Sequence, residues 1–212
     1  ILTGSINQST LESGLSLQGK ELLLKTEIAD IAMAPAADMF ELGVNVQVLK
    51  RGTLFASRAK KLYELYQRYH SLNDIPDTEK TLLEKNIFKN SLEDVWQQTR
   101  SFFEHRDTTQ LEKAKNNPKH QMAMVFRWYL GLSSQWAISG HPERSADYQI
   151  WCGPAMGAFN QWLKNSVLEP LENMRVSQIA WNILEGAAGI TRAHQLRTFN
   201  VPLPIQAFHY QP

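Results

Sequence analysis

One cysteine, Cys152, occurs in 212 residues. An intrachain disulfide is therefore excluded, and a reducing compartment, the cytoplasm, is the expected setting. No apolar run approaches the ~20 residues that a membrane-spanning helix needs, and the first residues lack the basic-then-apolar pattern of a targeting signal. Neither sign of charge dominates, with 22 Lys and Arg against 21 Asp and Glu. That balance gives no electrostatic reason to expect nucleic acid or an anionic membrane as partner. There is no Walker loop, no G-x-G-x-x-G and no G-x-S-x-G. The histidines at 70, 105, 120, 141, 194 and 209 show no i, i+4 pair, and no cysteine cluster supports them, so no metal site is predicted.

What is present suits a globular domain, with 43% hydrophobic and 20% charged residues. The chain opens Ile1-Leu2-Thr3-Gly4-Ser5-Ile6-Asn7-Gln8, without an initiator Met. An apolar pair running into Thr-Gly-Ser and then a helix-capable stretch is how a buried parallel strand ends when its loop holds a phosphate. One strand cannot make a sheet, so this reading expects a chain that is the C-terminal piece of a larger enzyme. Residues 1–52 form one region of short segments. In it, Glu21–Leu24 is helix-capable, Asp38–Gly43 reads as a short helix closed by glycine, and Val44–Val48 reads as a strand or an extended loop.

From residue 53 to 212 the pattern is helical. Phe55, Ala59, Leu62, Leu65, Tyr66 and Tyr69 recur at spacings of three and four. Asp77 and Ser91 are candidate caps, and Pro118 suits the first turn of a long helix that Gly140 ends. Two more helices are predicted over about 155–164 and 175–197. The expected class is mainly α, and most of its recurring aromatics read as core.

Several residues have a chemical reading beside the plainer one. Thr3, Gly4 and Ser5 suit a phosphate loop, since glycine lets the backbone approach closely and N–H groups with a hydroxyl can hold the anion. An ordinary turn is the plainer reading. Ala36, Met39 and Phe40 suit the apolar wall of an acyl pocket, against a helix start capped by Asp38. Cys152 would be a nucleophile beside a base; a buried, inert thiol is commoner. Arg58 and Lys61, in a basic run from Arg51 to Arg68, suit docking of an acidic carrier domain, against a solvated helix face.

Five stretches together resemble one family. They are residues 1–8, residues 34–53 (Ala-Pro-Ala-Ala-Asp-Met-Phe-Glu-Leu-Gly-Val-Asn-Val-Gln-Val-Leu-Lys-Arg-Gly-Thr), Lys61–Tyr66, Phe126–Ser134 and Asp147–Asn160. The family is that of the trans-acting, flavin-dependent enoyl reductases of bacterial polyketide and polyunsaturated fatty acid synthases, relatives of nitronate monooxygenase. The resemblance implies a TIM barrel that binds FMN, followed by a helical substrate or docking domain. Residues 1–52 would then hold the last barrel strand and the following loops, and residues 53–212 the helical domain. Thr3, Gly4 and Ser5 match the phosphate loop after the last strand. The implied reaction is reduction of an α,β-unsaturated thioester on an acyl carrier protein, with FMN reduced by NAD(P)H. No catalytic residue is carried over, because the rest of the barrel lies outside this sequence. The alternative is a non-catalytic helical module that docks acyl carrier protein or organises the synthase complex.

Overall fold

The computed structural model describes residues 3–212. In chain order it contains α1 (Gly4–Gln8), α2 (Leu17–Leu24), β1 (Ile31–Pro35), β2 (Asn45–Leu49), α3 (Phe55–Arg68) and α4 (Asp77–Leu83). There follow α5 (Leu92–Arg106), α6 (Thr108–Lys115), α7 (Pro118–Ser139), α8 (Ala155–Leu163) and α9 (Val176–Thr198). Helix accounts for 64%, about twice the usual share of roughly a third, so the class is mainly α. Among the described residues no helix is long and apolar enough to cross a membrane. The chain divides into two compact units, residues 32–151 and residues up to Ile31 together with Cys152–Pro212.

In the unit of residues 32–151, α7 is central because its sequence starts, buries and stops it. The Asn117 side chain accepts the His120 N–H at 3.0 Å, and Pro118 occupies the first turn. Met122, Val125, Phe126, Tyr129, Leu130, Ser133 and Ala137 form the buried stripe. Gly140 then turns left-handed at φ 70°, and its N–H returns to the Trp136 carbonyl at 2.9 Å. Helices α3, α5 and α6 pack against α7. Phe40, fully buried, lies edge-on to Tyr63 and Tyr66 at 5.3 Å and to Phe126 at 6.3 Å. Phe88 faces Phe126 and Tyr129 at 6.3 and 6.0 Å. Rings of this size dominate core energetics. After Leu83, α4 widens into a π-turn, Glu84–Phe88, that ends at Lys89 with φ 57°. β1 and β2 form a two-stranded sheet, and Val48 bridges to Trp151.

The other unit rests on close backbone approach. An added Cβ at Gly157 on α8 would overlap the backbone of Glu27 and Ile28. One turn later, Asn160 donates both amide hydrogens, to the carbonyls of Leu23 and Thr26, each at 2.8 Å. α9 buries Ile179, Gly186 and Ala193, one residue every seven. Gly186 lies under the Tyr210 ring, whose carbonyl accepts the Trp162 Nε1–H at 2.8 Å.

Three expectations bear on this architecture. Beside the expected division after residue 52, contacts group the chain at 31/32 and 151/152, where Asn160 and Gly157 tie α8 back to residues 23–28. The strand expected at Ile1-Leu2 falls outside the described residues. Asp77 is not a cap but the first residue of α4, behind Pro76.

Candidate functional site

A cleft of about 460 Å³ opens in the unit of residues 32–151. Its apolar walls come from Phe102 and Phe103 on α5 and Trp128 and Leu132 on α7. Phe102 sits 5.0 Å from Trp128 and 5.2 Å from Phe103, centroid to centroid. Ala37 and Asp38 close one side and Arg106 and Arg127 stand at the rim. Arg127 fixes that side by donating its Nε–H to the Ala37 carbonyl at 2.7 Å, and it lies 3.8 Å from Glu41. Glu41 in turn meets His120 Nδ1 at 2.9 Å, while Nε2 of His120 is buried without a partner.

The stretch expected to line an acyl pocket therefore borders this cleft, but through other side chains. Ala36 and Phe40 are fully buried, Phe40 in the aromatic core, and Met39 is 40% exposed. Ala36 N–H is tied to the Val44 carbonyl at 2.9 Å, Phe40 packs against Tyr63, Tyr66 and Phe126, and Ala37 and Asp38 are left at the cleft. Asp38 caps no helix; its Oδ1 accepts the N–H of its neighbour Met39 at 3.1 Å.

Arg58 is also placed differently from the docking expectation. Its guanidinium is bonded to Oδ1 of Asp147, which is fully buried. Tyr129 donates its hydroxyl to the same oxygen at 2.6 Å, and Arg144 reaches Oδ2 at 3.2 Å. Burial opposes the charge of Arg58, but the hydrogen bond and the negative charge of Asp147 outweigh it and hold its pKa above the ordinary value. Arg144 also donates to the carbonyls of Ile87 and Phe88 and lies 4.4 Å over the Trp136 ring. This cluster holds the end of α7's return segment to α3 and the π-turn. Lys61 is half exposed and pairs with Glu79 at 3.0 Å, which keeps the Glu79 carboxyl below its usual range. The only sequence trace of the cluster was the Arg144/Asp147 spacing of three residues.

Thr3, Gly4 and Ser5 stand together, but Gly4 and Ser5 form the first turn of α1 rather than a loop, with Thr3 as its N-cap. Thr3 supplies no cap bond. The N–H groups of Gly4 and Ser5 have no backbone partner among the described residues, as first-turn amides do. Gly4 is exposed, with nothing within 4 Å of where a Cβ would stand. Ser5 Oγ accepts the Gly153 N–H at 3.1 Å. Cys152, beside Gly153, is buried, and burial pushes its thiol up to about 11. It is not poised as a nucleophile.

Residues 69–148 match the family described as [acyl-carrier-protein] S-malonyltransferase, inserted helical domain. The whole chain aligns at 44% identity with a polyunsaturated fatty acid synthase component of Thraustochytrium sp., covering 15% of that protein. Over 89% of its length it is 49% identical to the polyketide biosynthesis protein PksE of Bacillus subtilis, covering 24% of it. It also matches the crystal structure of the enoyl reductase domain of MlnA, from the macrolactin biosynthesis cluster of Bacillus amyloliquefaciens. There the TM-score is 0.84 and the identity 38%, over 92% of this chain and 44% of that one. The chain is thus related to polyketide and polyunsaturated fatty acid synthase proteins, and it spans about a quarter or less of the two curated relatives described here.

Proposed function

We propose that the chain is the C-terminal part of a trans-acting enoyl reductase that works on α,β-unsaturated thioesters of acyl carrier protein in polyketide or polyunsaturated fatty acid synthesis. The observation that carries this reading is the likeness to the enoyl reductase domain of MlnA over nearly the whole chain. In this reading the barrel's earlier strands belong to the rest of the polypeptide. FMN, reduced by NAD(P)H, would supply hydride for the β-carbon. Thr3, Gly4 and Ser5 would hold its phosphate through first-turn amides and a hydroxyl. The cleft beside Ala37 lies in the unit that would meet the acyl substrate.

The test is Gly4→Val in the full-length polypeptide. The position is open among the described residues, so the fold is expected to survive while a β-branched side chain covers the amides. Flavin content should fall at least tenfold with unchanged helical circular dichroism. Full flavin content in that variant removes the phosphate assignment.

A second reading is a non-catalytic helical module that docks acyl carrier protein or organises the synthase complex. It is favoured by the match of residues 69–148 to a helical domain of a malonyltransferase family. Full-length protein without flavin that still binds carrier protein would support it.

A further inference from the structure

We infer that the cleft between α5 and α7 is an acyl-chain site, which takes the apolar part of a phosphopantetheine thioester and sets the chain length the protein accepts. The inference rests on the thioester reading above and deepens it. About 460 Å³ lies in the range of pockets that bury a whole small ligand, about 300–1,000 Å³. The lining is mostly apolar, with three aromatic rings and Leu132 beside the polar Gln135, which suits a hydrocarbon chain.

Gly131 supplies an independent sign. It lies near the middle of α7, exposed, at the edge of the cleft, with nothing within 4 Å of a Cβ position. A helix-interior glycine weakens a helix relative to alanine. Here no close approach and no left-handed backbone require it, since the positive-φ glycines are 43, 52 and 140. What its missing side chain provides is space at the cleft.

The rim selects the arm. Arg106 lies over the Phe102 ring, 5.3 Å from its centroid. Arg127 is engaged with Ala37 and Glu41, and Asp38 is the acidic residue of the rim. The exposed Arg106 guanidinium is placed to meet the phosphate of the arm by a charge-assisted bond.

The test measures binding of decanoyl-phosphopantetheine to the full-length protein, wild type, Gly131→Leu and Arg106→Gln, by calorimetry. The probe is presented both as decanoyl coenzyme A and on acyl carrier protein. Gly131→Leu should weaken both forms at least tenfold and keep wild-type circular dichroism. Arg106→Gln should weaken them severalfold, and leave unphosphorylated decanoyl pantetheine unchanged. Higher affinity for the carrier form in all three proteins would mark an added carrier contact and support the carrier as the source of the chain. Undiminished binding in Gly131→Leu overturns the site. Equal losses for phosphorylated and unphosphorylated probes in Arg106→Gln overturn the role of the rim. The readout needs no turnover, so it stands even where reductase activity is absent. With an active enzyme, the same leucine should lower kcat/KM for 2-decenoyl but not for crotonyl thioester.

Discussion

Tyr129 on α7 donates its hydroxyl hydrogen to Oδ1 of Asp147 at 2.6 Å, the same oxygen that binds the Arg58 guanidinium. The carboxylate is fully buried and touches a second arginine, Arg144, through its other oxygen. Removing it would leave two largely buried cations without their counter-charge, which costs far more than a surface pair is worth. Asp147→Ala is expected to lower unfolding free energy by about 3–5 kcal/mol. Tyr129→Phe, which removes one donor, should cost about 1–3 kcal/mol. Urea unfolding at pH 7 measures both.

Lys61 offers the contrast on the same helix. Its pair with Glu79 is partly solvated, and such pairs contribute about 0–1 kcal/mol. Lys61→Ala should therefore leave the urea midpoint nearly unchanged, whereas Arg58→Ala should shift it clearly. A large loss with Lys61→Ala would contradict this division of roles.

Tyr129 and Cys152 hold their protons to higher pH in the folded chain. Burial first, and then the negative charge of Asp147, push the Tyr129 phenol upward. Burial alone raises Cys152 from 9.0 to about 11. In each case the folded chain keeps a proton that the unfolded chain releases at lower pH, so the stability contribution is whole below the unfolded value and is lost as pH rises. For Cys152 the loss runs between pH 9.0 and about 11. Urea midpoints are expected to fall across that window, less steeply in Cys152→Ala. Alkylation of the native thiol by iodoacetamide at pH 8 should be slow, and fast after unfolding.

Two helical glycines should respond with opposite signs. At Gly157 a methyl group meets the backbone of Glu27 and Ile28, and overpacking of this kind costs about 1–3 kcal/mol or more. At Gly131 a methyl group meets open space, so alanine should stabilise by up to about 1 kcal/mol. Thermal melts of Gly157→Ala and Gly131→Ala distinguish them.

Local chemistry made most helices legible in the sequence. Pro118 and Gly140 bracket α7, and the Ser91 side chain accepts the Asp94 N–H at 3.0 Å at the start of α5. Gly43, with φ 73°, closes the short turn at Phe40–Leu42. β1 was not legible, because Ile-Ala-Met-Ala-Pro carries neither alternation nor β-branched density. Nor was the π-turn, or the way residues 23–28 meet α8, since each depends on tertiary contacts. The candidate cleft was half legible. The small-residue stretch pointed to its edge, but which of Ala36, Ala37, Asp38, Met39 and Phe40 line it depends on tertiary packing, such as that of Phe40 against Tyr63, Tyr66 and Phe126. Arg58 carried no sign that a buried carboxylate 89 residues away would claim it.

The most direct measurement is turnover by the full-length polypeptide. Purified protein should carry flavin and oxidise NAD(P)H only when an enoyl thioester, such as crotonyl-carrier protein, is added. Colourless protein that binds carrier protein but leaves NAD(P)H untouched would contradict the reductase assignment and leave the helical docking module in its place.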